Sequence, residues 1–219
     1  GGKDILVTQP FGSYVMENVL FKISFPAEFH AQTAVEAAVT LHDEVKDKID
    51  NIEKIVVETQ EAGVRIIDKT GPLANSADRD HCIQYMIAVP LVFGRLTADD
   101  YEDDVAADPR IDQLRELMEV SENKKYSVEY LDADKRAIGN AIQVFYKDGS
   151  SSERVEVNYP IGHRRRRDEG IPLLIEKFER YVRGHFALEQ SNQISQICAS
   201  QAIFESTSVD EMMALLSTV

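Results

Sequence analysis

Apolar positions along this chain change period several times, and each period predicts a different element. Between residues 31 and 45, Ala34, Val35, Ala38, Val39, Leu41, His42 and Val45 recur near helical spacing after a break at Pro26. This predicts a helix beginning a few residues beyond that proline. Residues 52–59 are rich in β-branched side chains and follow Asp50-Asn51, predicting a strand. Residues 63–80 mix polar residues with turn formers, including Gly71-Pro72 and Asn75-Ser76-Ala77-Asp78, and read as a long connection of the kind that often carries function. Helical spacing returns over 80–93, with Ile83, Met86, Ile87, Val89 and Val92 inward and Pro90 predicted to kink the helix or start a new turn. Thr97-Ala98-Asp99-Asp100 reads as a helix start, and Asp108-Pro109 opens a helix carrying Ile111, Leu114, Leu117 and Met118.

A period of two then takes over. Tyr126, Val128 and Tyr130 alternate with polar neighbours, as do Ile142, Val144 and Tyr146, and then Val155, Val157 and Tyr159. These read as strands, the last two joined by a hairpin around Asp148-Gly149-Ser150. Beyond an arginine run, residues 171–186, 192–204 and 209–216 read as helices. The order points to an α+β fold: mixed elements, a small antiparallel sheet, then a helical C-terminal tail.

With 219 residues, 43% of them hydrophobic, the chain can bury a substantial core in one or two domains and is not disordered. No apolar run reaches the length of a bilayer span. Cys82 and Cys198 lie far apart outside any C-x-x-C, and the five histidines form no H-E-x-x-H, so neither a metal site nor a disulfide scaffold is expected. A reducing, cytoplasmic location is the simpler reading. Glycine-rich nucleotide motifs are also missing. The chain begins Gly-Gly-Lys-Asp, without a methionine, which fits a truncated or processed product.

A net charge of −14 disfavours nucleic acid and anionic membrane as partners. The acidic cluster over 99–108 reads as a solvated surface with carboxylates at helix starts. An anionic small molecule would need local positive charge, and two sources exist: Lys22 and the run His163-Arg164-Arg165-Arg166-Arg167. Lys22 stands inside an apolar run of Leu20, Phe21, Ile23 and Phe25 that Pro26 ends. A buried ammonium requires an anionic partner, which makes Lys22 a candidate anion-binding or proton-transfer group. The plain alternative is a stem lying on apolar surface with its head in water.

Four stretches, F-G-S-Y-V-M-E-N-V-L-F-K (residues 11–22), A-D-R-D-H-C-I-Q-Y-M (77–86), K-R-A-I-G-N-A-I (135–142) and Y-P-I-G-H (159–163), resemble the C-terminal half of enzymes of the MmgE/PrpD family. The resemblance implies a leading segment, residues 1–18, from an N-terminal helical domain. It implies an α+β lid over 19–162, and helices over 163–219 that would pack on the absent helical domain, with homo-oligomers possible. It further implies a cofactor-free hydro-lyase that converts the tricarboxylate 2-methylcitrate to 2-methyl-cis-aconitate in propionate breakdown by the methylcitrate cycle. The isolated chain would be inactive. Carried over residue by residue, the family pattern places Lys22 and Tyr85 as catalytic groups. Arg79 and His81, in a charged helix start where many relatives carry an apolar residue in place of His81, are read as substrate-binding residues, and His30, near a helix N-terminus, is given no role. Other readings are decarboxylation or epimerisation of a related polycarboxylate, or a non-catalytic assembly domain sharing the lid fold.

Overall fold

In the computed structural model, which describes residues 20–217, the chain after Pro26 makes a 3-10 turn at Phe29–Ala31 and enters helix α1, Gln32–Val45. The leading segment and most of the first family motif lie outside the described residues. Strand β1 is Ile52–Thr59, as its β-branched run requires. The stretch expected to be one long connection instead contains two short helices, α2 (Glu61–Ile67) and α3 (Ser76–Asp80). The Asn75 side chain caps α3 by accepting from the Asp78 amide at 2.9 Å.

Helix α4, Ile83–Phe93, has no polar face, and all residues from Ile83 to Val92 are buried. A helix apolar on every side belongs in the centre of a core. It runs through Pro90 and stops at Gly94, whose φ of 68° is the left-handed conformation that closes a helix without a Cβ penalty. The Thr97-Asp100 signal resolves into a 3-10 turn, Ala98–Tyr101, with both arms of a capping box formed. Helices α5 (Asp103–Ala106) and α6 (Pro109–Glu116) follow, the latter capped by Asp108. Leu117 ends α6, and Met118, expected on that helix, begins strand β2, Met118–Glu122.

The predicted strand at 126–130 is helix α7, Lys124–Leu131, started by the Asn123 side chain. Tyr126 and Tyr130 are four residues apart and share a helix face, while Val128, the middle member of the apparent alternation, is exposed. Strands β3 (Asn140–Tyr146) and β4 (Val155–Val157) form the expected hairpin. The sheet order is β2-β1-β3-β4, with β2 parallel to β1 and the other pairings antiparallel. It is therefore mixed, and not purely antiparallel as the alternation implied. Helix α1 packs on β3 and β4, α4 lies against α1, and α6 against α4, so the helices cover one sheet face. The opposite face carries Lys54, Glu58, Gln143 and Arg154, with Lys54 bound to Glu119 at 3.2 Å.

A second compact unit begins at Arg167. It comprises α8 (Arg167–His185), α9 (Leu188–Ala199), α10 (Gln201–Ser206) and α11 (Val209–Leu215). The single helix expected over 192–204 is broken at Ser200, whose extended backbone ends α9 and whose side chain caps α10. Val182 and Ile194 are buried between α8 and α9, while Ile171, Ile175 and Phe178 leave an exposed apolar stripe along α8. Among the described residues no helix is long and apolar enough to cross a membrane.

Candidate active site

The sequence-predicted residues fall into two groups in the first unit. Arg79 and Tyr85, on α3 and α4, line a cleft of about 640 Å³ together with Lys69, Gln84, Asp112 and Arg115. Their polar atoms are committed to one turn. The Tyr85 hydroxyl donates to the Asp100 carbonyl at 2.6 Å, and Arg79 donates to the Tyr101 carbonyl at 2.6 Å and to Asp103 at 2.7 Å. The Tyr85 ring stacks on Tyr101 with centroids 5.9 Å apart. Burial pushes the Tyr85 phenol up to about 12, so it stays protonated as a donor at neutral pH. Across the cleft, Lys69 pairs with Asp78 at 2.6 Å, and Arg115 donates to the Gly71 carbonyl at 2.7 Å.

Lys22 and His81 belong to the second group. The expectation that Lys22 is buried does not hold: the residue is exposed, and of its apolar neighbours only Ile23 is buried. Its Nζ lies 5.2 Å from the Phe29 ring centroid, a cation–π distance. Beside Phe29, Glu28 holds His30, with Oε1 2.8 Å and Oε2 3.0 Å from Nδ1, while the His30 amide donates to Oε2 at 2.8 Å. His30 Nε2 lies 3.3 Å from the Tyr130 hydroxyl on α7. Burial raises the Glu28 carboxyl, but the hydrogen bonds and charge of His30 outweigh it, with a smaller contribution from His81, and hold it below the usual carboxylate range. His81 itself is exposed at the end of α3, its Nδ1 3.2 Å from the Ala77 carbonyl.

The motifs scattered along the sequence converge on this segment. The Asn140 amide donates to the His30 carbonyl at 2.8 Å. The Phe21 amide donates to the Gly162 carbonyl at 3.2 Å, and Gly162 is so close that a Cβ there would sit 1.7 Å from the Phe21 oxygen. The arginine run is built into the same wall. Arg166 grips Glu36 of α1 with two bonds of 2.9 Å, and Arg164 and Arg165 donate to the Asp134 carbonyl at 2.6 and 3.0 Å. His163 is buried, and desolvation lowers its pKa.

Residues 25–201 match the family described as MmgE/PrpD C-terminal domain. This chain belongs to the MmgE/PrpD family. It is 58% identical over 98% of its length to "2-methylcitrate dehydratase, mitochondrial" of Yarrowia lipolytica, covering 42% of that protein. It is 55% identical to the 2-methylcitrate dehydratase of Salmonella typhimurium, with 98% of the chain and 45% of the relative aligned. A "Probable 2-methylcitrate dehydratase" of Saccharomyces cerevisiae is 52% identical over 94% of the chain and 41% of its own length. The chain thus spans less than half the length of these MmgE/PrpD relatives.

The His30 pairing was not legible in the sequence. Glu28 and His30 are separated by one residue, a spacing that signals nothing, and Tyr130 is 100 positions away.

Proposed function

We propose that this chain forms the C-terminal part of a hydro-lyase that dehydrates 2-methylcitrate to 2-methyl-cis-aconitate in propionate breakdown, its site completed by residues beyond the chain. The observation that carries the reading is identity of 52–58% to proteins named for that activity, over nearly the whole chain. The chemistry requires a base for a weakly acidic C–H bond, cations for the charge that develops on the adjacent carboxylate, and an acid for the departing hydroxide. Lys22 and His81, both exposed side chains of the first unit, are suited by charge and hydrogen-bonding chemistry to bind substrate carboxylates. Arg79 and Tyr85 give their donors to the Tyr101 and Asp100 carbonyls, so their part is to wall the cleft and hold that turn in place. Cytoplasmic action belongs to this reading, although the name of the Yarrowia relative places that protein in mitochondria.

The test is product analysis by mass with the full-length protein. Loss of water from 2-methylcitrate supports the reading, and loss of carbon dioxide or unchanged mass contradicts it. Lys22→Ala should lower kcat/KM by roughly 100-fold at near-wild-type stability, the cost of a lost charge-assisted contact. Tyr85→Phe should remove about 1 kcal/mol of stability, because the Asp100 carbonyl loses its donor. A Tyr85→Phe variant with full stability but depressed kcat would instead place that hydroxyl on the substrate.

A further inference from the structure

The segment that follows Lys22 carries a second set of titratable side chains. Glu28, His30 and Tyr130 are aligned as carboxylate, imidazole and phenol, joined at 2.8 and 3.3 Å. A carboxylate only accepts, so the proton on this side of the ring sits on Nδ1, which leaves Nε2 to accept from the Tyr130 hydroxyl. The cluster is fixed from outside. Asn140 of β3 holds the His30 carbonyl at 2.8 Å, and the Glu28 side chain also caps the Phe29–Ala31 turn. The side chains of His30 and Glu28 are 13% and 17% exposed, shielded enough to strengthen their pairing without being sealed from a ligand. Tyr130 is half-buried, and the Lys22 amine lies 5.2 Å from the ring centroid of Phe29, the residue that follows Glu28 in the chain.

We infer that Glu28, His30 and Tyr130 form the proton relay of the dehydration, with Tyr130 meeting the substrate, His30 storing the proton and Glu28 orienting the imidazole. The inference rests on the dehydratase reading. In the step it describes, the C–H bond beside the carboxylate breaks and its proton passes to the Tyr130 oxygen while the Tyr130 proton moves to His30 Nε2. The electron pair left on carbon becomes the double bond as the C–O bond breaks. The departing hydroxide then takes the stored proton through Tyr130 and leaves as water, so the relay ends unchanged. Glu28 stabilises the imidazolium in between, the arrangement in which a third group holds a catalytic base in orientation. Lys22 neutralises the substrate carboxylate that gains charge.

The experiment uses the full-length protein with 2-methylcitrate, comparing wild type with His30→Gln, Tyr130→Phe and Glu28→Gln. Removing a positioned acid–base group costs about 10²–10⁴-fold in rate. His30→Gln and Tyr130→Phe should therefore lower kcat by that factor with KM changed only a few-fold. His30→Gln should also change the pH profile of kcat, because it removes the ring that faces Glu28 on one side and Tyr130 on the other. Glu28→Gln, which keeps the imidazole but removes the carboxylate that orients it, should lower kcat by a smaller factor than His30→Gln. Tyr130→Phe removes one oxygen from a half-buried ring, so it tests the idea even if His30→Gln does not fold. Near-wild-type kcat and an unchanged pH profile in folded Tyr130→Phe would overturn the relay while leaving the dehydratase reading intact. A wild-type protein that fails to dehydrate 2-methylcitrate would remove both.

Discussion

Gly162 shows how one residue controls the placement of a distant charge. Its backbone accepts the Phe21 amide, and a Cβ at this position would overlap the Phe21 carbonyl oxygen at 1.7 Å, with no flexible side chain able to yield. Gly162→Ala should therefore cost about 1–3 kcal/mol, the usual penalty of overpacking, and should displace the segment that carries Lys22. Chemical denaturation checks this, and a variant as stable as wild type would contradict it. At this scale the sequence was informative about residue type and silent about partners. Lys22 is conspicuous because a charge interrupts an apolar run, and of its two readings the exposed one holds, with Ile23 buried and Leu20, Phe21 and Phe25 half-buried around it. Arg79 and Tyr85 were found through a motif, but their bonds to the Asp100–Asp103 turn depend on how α4 docks, which no local pattern encodes.

Elements with long, strongly periodic sequences emerged where expected: α1, β1, α4 and β3 match their predicted positions closely. Misreadings fell where two periods share the same few residues. Over 126–130, an alternation of two and a spacing of four make the same demand on Tyr126 and Tyr130, and the Asn123 cap decides for helix α7. Strand β2 was lost because Leu117 and Met118 continue the helical spacing of α6, and pairing with β1 overrides it. Helix α7 is tied to the sheet by a clasp in which Arg154 binds Glu156 at 2.8 Å and the Tyr126 hydroxyl at 2.9 Å, while Lys125 reaches Glu156 at 3.1 Å. The hydrogen bond from Arg154 leads the effects that hold the Glu156 carboxyl down at about 2. An unfolded glutamate titrates near ~4.3, so the clasp's contribution is complete above that pH and is lost as pH falls toward 2. Glu156→Gln should thus be less stable than wild type at neutral pH, with the gap closing between about pH 4.5 and 2. Urea midpoints across that range decide it; a gap independent of pH would mean the carboxylate's charge contributes nothing.

The molecule as a whole divides where the arginine run ends. Residues through Arg166 form a unit with its own buried core, whereas the helices from Arg167 onward bury little beyond Val182 and Ile194 and expose Ile171, Ile175 and Phe178. An α+β arrangement followed by helices was readable from element order alone. Family resemblance implied a boundary after residue 162, whereas the two compact units meet at Arg167 and leave His163 to Arg166 in the first; periodicity does not say which helices share a core. The central claim is that this chain supplies one wall of a dehydratase site and that residues outside it supply the rest. The most direct measurement mixes the 219-residue chain with 2-methylcitrate and follows ultraviolet absorbance of the conjugated alkene, beside the same chain within its full-length protein. The expected result is absorbance growth with the full-length protein alone, because acid–base catalysis depends on holding every group in register. Turnover by the 219-residue chain on its own would contradict the account, since a complete site would then lie within these residues.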